Sequence, residues 1–269
     1  MMGYEDICTD LQRQFYVHVS FAISPDVIND AIQAFFKFLQ EPDEIKKHID
    51  FSIAPKHRRG DVGFKHRDSS DHVYNDSKDF FHFHPALFEK YADFLKTHPV
   101  VNDFVKQAKP IWDMVYSTVK EVLVTLEPEI PGIVDKVFNT KHPHILLRFL
   151  RYEWDESREY LAKPHFDAGS YTLAIAESCP GLRIGSCPDN LQLVPYKLRN
   201  AVFMISSNFQ KTMNTTLFSP GWHDVIQLDK TLIGKSYARW AIVAFIDAHN
   251  VEALPRSETH KWFRHLELI

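Results

Sequence analysis

After about His144 the chain becomes a succession of short segments rich in β-branched and aromatic residues: Ile145–Tyr152, Tyr171–Ala176, Leu191–Val194, Ala201–Ser206, Asp224–Leu228 and Arg239–Ile246. Each has the length of a strand, and turn-forming residues separate them. So many short strands in series favour a sandwich, barrel or jelly roll. The half before them reads as helix. Ser24-Pro25-Asp26-Val27 has the form of an N-cap, a proline at N1 and an acidic first turn. Apolar residues recur at Val27, Ile28, Ala31, Ile32, Phe35, Phe36 and Leu39, a helical stripe that marks core, and Glu41-Pro42 ends it. Further helices are predicted around Leu87–Lys96 and over Val100–Leu126, the second with Pro110 as a place to bend. Phe15-Tyr16-Val17-His18-Val19 reads as a short strand. Residues 51–80 are polar, and read as one long loop of the kind that forms lids and binding loops.

The strand-rich half carries the chemistry. His165 and Asp167 lie in Lys163-Pro164-His165-Phe166-Asp167. Residues two apart on a strand share a face, so one strand would aim an imidazole and a carboxylate at one point, with Phe166 on the other side. His223 and Arg239 follow, each opening a later β-type segment, and a jelly roll brings distant strands together across one mouth. A lone His-x-Asp means little in a chain with 15 histidines and 35 acidic residues; the ordered set means more. Two histidines and one carboxylate are the facial triad of a non-haem Fe(II) oxygenase, which leaves metal positions open for oxygen and a co-substrate. The pairs His82/His84 and His142/His144 have no evident carboxylate partner and are read as structural, and His249 as surface.

Other classes find no support. A net charge of -4 argues against a nucleic-acid or acidic-membrane binder, and Lys56-His57-Arg58-Arg59 reads as a solvated loop. Cys8, Cys179 and Cys187 make neither a CxxC pair nor a disulfide framework. The N-terminus lacks a basic and then apolar leader, and no apolar run has the length of a membrane span. The expectation is a cytoplasmic protein of a reducing compartment acting on a small molecule. There is no GxSxG and no P-loop.

On these residues the chain resembles the iron- and 2-oxoglutarate-dependent dioxygenase superfamily, and within it the isopenicillin-N-synthase-like branch. The likeness runs from Gln14-Phe15-Tyr16-Val17 through Gly60-Asp61-Val62-Gly63-Phe64 and Lys78-Asp79-Phe80-Phe81-His82-Phe83 to Leu147-Arg148-Phe149-Leu150-Arg151-Tyr152, His165-Phe166-Asp167 and Pro180-Gly181-Leu182-Arg183-Ile184. It implies an α+β, mainly β fold: a double-stranded β-helix, or jelly roll, over 141–269 with a helical N-terminal region, 1–140, packed on it as one compact unit. It implies Fe(II) held by His165, Asp167 and His223, with 2-oxoglutarate and O2 as co-substrates. Arg239 would clamp the distal carboxylate, a pairing suited to a guanidinium fork. The small-molecule substrate would lie under residues 56–74 and the segment around Trp262 and Phe263.

Three positions depart from the family pattern. The usual Arg-x-Ser is Arg239-Trp240-Ala241, which removes a hydroxyl from the clamp at a cost of about 1.5–3 kcal/mol if nothing replaces it. Tyr152 or Tyr237 are candidates to replace it. The Asn-Tyr-Tyr-Pro region is Leu150-Arg151-Tyr152-Glu153, and Asp224 follows the distal histidine where arginine is common. Arg148 shares a face with Tyr152 and offers either a second cation to the pocket or a core-edge partner for an acid. Three readings follow: a 2-oxoglutarate-dependent hydroxylase, desaturase or ring-closing oxidase; an iron oxidase that does without 2-oxoglutarate; and a non-catalytic metal-binding protein on the same fold. Oligomeric state is not encoded in any of these features.

Overall fold

The computed structural model describes residues 4–54, 60–67, 77–153, 160–235 and 239–249. The chain opens with α1 (Tyr4–Gln14), β1 (Tyr16–Ser20), α2 (Pro25–Phe38) and the short α3 (Asp43–Lys46). Three strands follow, β2 (Asp50–Ser52), β3 (Asp61–Arg67) and β4 (Lys78–Phe83), then α4 (Ala86–Lys90), α5 (Ala92–Thr97), α6 (Pro99–Leu126) and α7 (Ile133–Phe138). The second half is β5 (Ile145–Tyr152), β6 (Ala162–His165), β7 (Tyr171–Glu177), β8 (Leu182–Gly185), β9 (Leu191–Leu193), β10 (Asn200–Ile205), α8 (Phe209–Met213), β11 (Trp222–Val225) and β12 (Arg239–Ile246).

Two antiparallel sheets result. The large one runs β1-β10-β7-β12-β5-β4-β3-β2 and the small one β6-β11-β8-β9. Within them the eight strands β5 to β12 divide into two four-stranded layers, the double-stranded β-helix that the sequence resemblance implied. The remaining strands extend the large sheet on both edges.

Alternation along β5 separates core from cavity. Leu147 and Phe149 point into the aromatic core beneath α2 and α6, where Phe104 meets Phe35, Phe38, Phe81 and Phe149 at ring separations of 5.2–5.4 Å. Arg148, Leu150 and Tyr152 point the other way, into the space between the sheets. Losing one of those buried phenylalanines to alanine would cost about 3–5 kcal/mol. The N-cap of α2 forms as expected, with Ser24 Oγ accepting from the Asp26 amide. Pro110 lies inside α6, which continues across it.

The polar run 51–80 is not one loop. Residues 61–67 and 78–83 form β3 and β4, and every residue of β4 is buried. Polarity misled because the polar side chains are paired across strands: Asp79 with His66 and Arg151, and His82 with Arg148. Buried polar groups with partners are compatible with a central strand. Residues 55–59 and 68–76, and the segment bearing Trp262 and Phe263, lie outside the described residues.

Candidate metal centre

His165 and His223 face each other directly in the β6–β11 pairing, with ring centroids 4.3 Å apart. Phe166 turns away and packs on Trp222 at 4.3 Å. Asp167 is not on the strand as alternation suggested, because β6 ends at His165. Its carboxylate is aimed by a turn instead. Gly169 takes a φ of 119°, a region that favours glycine. Ser170 donates to Asp247, which also accepts from Asn208, and the Ser207 amide donates to the Asp167 carbonyl. Thr172, at the start of β7, donates to Asp167 Oδ2 at 2.8 Å.

The three side chains converge. Asp167 Oδ1 lies 3.7 Å from His165 Nε2, and Oδ2 lies 3.4 Å from His223 Nε2. One ligand atom from each residue lies within 4.8 Å of the other two. Adjacent positions of an octahedron with bonds of about 2.1 Å are about 3 Å apart, so the three side chains need only draw inward to meet one ion. Both Nδ1 atoms face backbone carbonyls, His165 that of Lys163 at 2.6 Å and His223 that of Gly221 at 3.4 Å. For His165 the short contact favours the tautomer in which Nε2 keeps its lone pair for a metal, whereas His223 Nε2 faces Asp167 Oδ2, where a cation would take the place of a proton. The residues therefore fit a divalent transition metal.

Their charges are coupled. Burial and the neighbouring His223 push the His165 imidazole down to about 3. Burial pulls His223 down too, but Asp167 outweighs it and the net shift is upward. For Asp167 burial works upward, and the two histidines with the Thr172 hydroxyl overcome it, holding the carboxyl well below its usual range. A cation bound here would displace the proton that His223 and Asp167 favour.

The triad opens into a cavity of about 110 Å³ between the sheets, with apolar walls from Leu150, Ala174, Val243 and Met204. Arg239 and Tyr152 stand opposite each other in the β12–β5 register, and both line this cavity. Arg239 is 2% exposed, and burial lowers its guanidinium to about 10, so it stays charged at neutral pH. Its Nε donates to the Cys179 carbonyl at 3.2 Å, and its terminal nitrogen donates to the Glu177 carboxylate. Ala241 faces the same cavity. Tyr237 lies outside the described residues.

Sequence reasoning missed Glu177, which ends an apolar strand and looked like its boundary. Asp224 forms a two-point ion pair with Arg183 rather than meeting a co-substrate. His84 bonds the Pro143 carbonyl and the Ala86 amide, and His249, read as surface, is half-buried with Nδ1 facing the Lys136 carbonyl. All three cysteines are free, and no described helix is long and apolar enough to cross a membrane.

No protein-family model and no curated protein sequence matches the chain. Solved structures do. A full-length Neurospora crassa protein in complex with alpha-KG and thymine superposes with a TM-score of 0.67 at 16% identity, covering 94% of this chain and 82% of that one. The Arabidopsis thaliana dioxygenase for auxin oxidation 1, with 2-oxoglutarate, gives 0.66 at 13% identity over 95% and 92%. The rice dioxygenase for auxin oxidation gives 0.65 at 14% over 98% and 90%. The chain thus has the fold of the 2-oxoglutarate–Fe(II) oxygenases along nearly its whole length.

Proposed function

We propose that the protein is an Fe(II)- and 2-oxoglutarate-dependent oxygenase that oxidises a small organic molecule by hydroxylation, desaturation or cyclisation. The observation that carries this reading is the convergence of His165, Asp167 and His223, with both imidazoles turned Nε2-inward, at the mouth of an apolar cavity. Support also comes from the fold, since relatives in shape were crystallised with 2-oxoglutarate.

Iron and 2-oxoglutarate would supply the oxidising power with O2, and the protein supplies binding, orientation and shelter. His165, Asp167 and His223 occupy one face of the ion and leave the rest to the cavity. Arg239, with Tyr152 opposite, is the group suited to the distal carboxylate of 2-oxoglutarate. Glu177 must then release the guanidinium. Leu150, Ala174 and Val243 keep water from the reacting centre.

A second reading, iron-dependent oxidation without 2-oxoglutarate, is favoured by one observation: Arg239 already has a carboxylate partner in Glu177, and Ala241 offers no hydroxyl beside it. Anaerobic titration of the Fe(II)-loaded chain with 2-oxoglutarate separates the two. The first reading predicts a saturable visible charge-transfer band that weakens in Arg239→Ala. Bound iron with no band contradicts it and selects the second.

A further inference from the structure

His165 and His223 are held by the ladder that pairs β6 with β11. Asp167 has no such support, because β6 ends at His165 and the carboxylate is carried by the turn that follows. A ligand on a turn keeps its place only if its surroundings hold the turn. Here the hold comes from the far end of β12 and from the start of α8.

Asp247 follows the last residue of β12 and is buried. Its amide donates to the His144 carbonyl, just before β5, at 2.9 Å, which anchors its backbone. Its carboxylate accepts from the Ser170 hydroxyl, from the Asn208 side-chain amide at 3.2 Å and from the Ala248 amide at 2.9 Å. Ser170 closes the metal turn just before β7, and Asn208 caps α8; both are buried. The backbone repeats the connection. The Ser170 amide donates to the Ile246 carbonyl at 3.0 Å, and the Asn208 amide to the Gly169 carbonyl at 2.7 Å. Contact is close as well: a Cβ added at Gly169 would lie 3.2 Å from the Ile246 carbonyl oxygen and 3.8 Å from Asp247 Oδ2. An apolar residue could fill such a place at no loss of stability. What a carboxylate adds is direction, since a displaced turn must break charge-assisted bonds that converge from separate segments.

We propose that Asp247 is a positioning residue of the metal centre: through Ser170 and Asn208 it sets where Asp167 stands relative to His165 and His223. The inference rests on the metal-centre reading above and deepens it. Control of Asp167 is then divided. Thr172 sets the rotation of the carboxylate, and Asp247 sets the backbone that carries it.

The test is metal binding by the full chain, read by competition with a coloured chelator under anaerobic conditions and by the visible spectrum of the Co(II)-loaded form. Asp247→Ala should weaken Fe(II) by roughly 10- to 100-fold, the range for groups that orient a ligand. Ser170→Ala is the gentler variant, and decides the matter if Asp247→Ala does not fold; it should weaken Fe(II) by roughly tenfold, the low end of that range. Added to Asp247→Ala it should cost nothing further, because its hydroxyl has already lost its acceptor. At saturating Co(II) each variant should move the ligand-field bands. A purely structural role would lower the unfolding midpoint while leaving the folded chain's affinity and bands alone, the pattern expected of Phe104→Leu in the aromatic core. The proposal is overturned if the folded variants keep their Fe(II) affinity, if the bands do not move, or if the losses from Ser170→Ala and Asp247→Ala simply add. Asp167→Ala, run alongside, separates the two readings. If it weakens Fe(II) while the Asp247 and Ser170 variants do not, the proposal alone falls; if it too leaves the affinity unchanged, the metal centre falls and the proposal with it.

Discussion

The two ends of the cavity hold their charges in opposite ways. At the metal end, Asp167 is balanced by imidazoles 3.4 and 3.7 Å away, and what a cation must displace is a proton. At the arginine end, Arg239 is balanced by Glu177, and what a co-substrate must displace is a side chain. A buried guanidinium without a counter-charge is very costly, so Ala241 beside Arg239 makes an internal acid more valuable there. The metal end is thus ready for its ligand, whereas the arginine end competes with its own.

Substitutions can break or sharpen that contrast. Asp167→Ala should have the largest effect, lowering Fe(II) affinity by more than the roughly 100-fold reached by changes outside the ligand set. Equilibrium dialysis against a coloured chelator reads it, and an unchanged affinity would remove Asp167 from the site. Thr172→Val removes only the hydroxyl that orients Asp167, and should weaken iron by roughly 10- to 100-fold in the same assay. At the other end, Glu177→Gln should tighten 2-oxoglutarate by roughly tenfold. It should also cost the free chain up to about 3 kcal/mol in thermal or urea unfolding, at the low end for a buried pair because Glu177 is 22% exposed. Equal or weaker 2-oxoglutarate binding would show that Glu177 does not compete. Ala241→Ser should be the mildest change, improving 2-oxoglutarate binding about two- to tenfold, less than the full value of a bond to a charged group because Tyr152 already stands opposite Arg239. No gain would mean that the clamp does not form around Arg239.

The same contrast governs what could be read from the sequence. That His165, Asp167 and His223 would meet was legible because a jelly roll brings such strands to one place, and β5 and β12 were legible end to end because apolar runs of strand length have few alternatives. The mode of presenting Asp167 was not legible, since the alternation rule assumes a strand that in fact stops at His165. Glu177 was invisible for a related reason: its meaning depends on a partner 62 residues away. β3 and β4 were lost because Lys78, Asp79 and His82 look solvated until their partners across the sheet are known. Local pattern carries the elements, while charge pairing between distant strands decides how the cavity is tuned.

X-ray absorption at the iron edge of the Fe(II)-loaded chain tests the central claim most directly. The account predicts two imidazole ligands with nitrogen at about 2.0–2.2 Å and oxygen completing the shell, reduced to one imidazole in His165→Ala and in His223→Ala. A spectrum without imidazole scattering, or one that neither substitution alters, would contradict it.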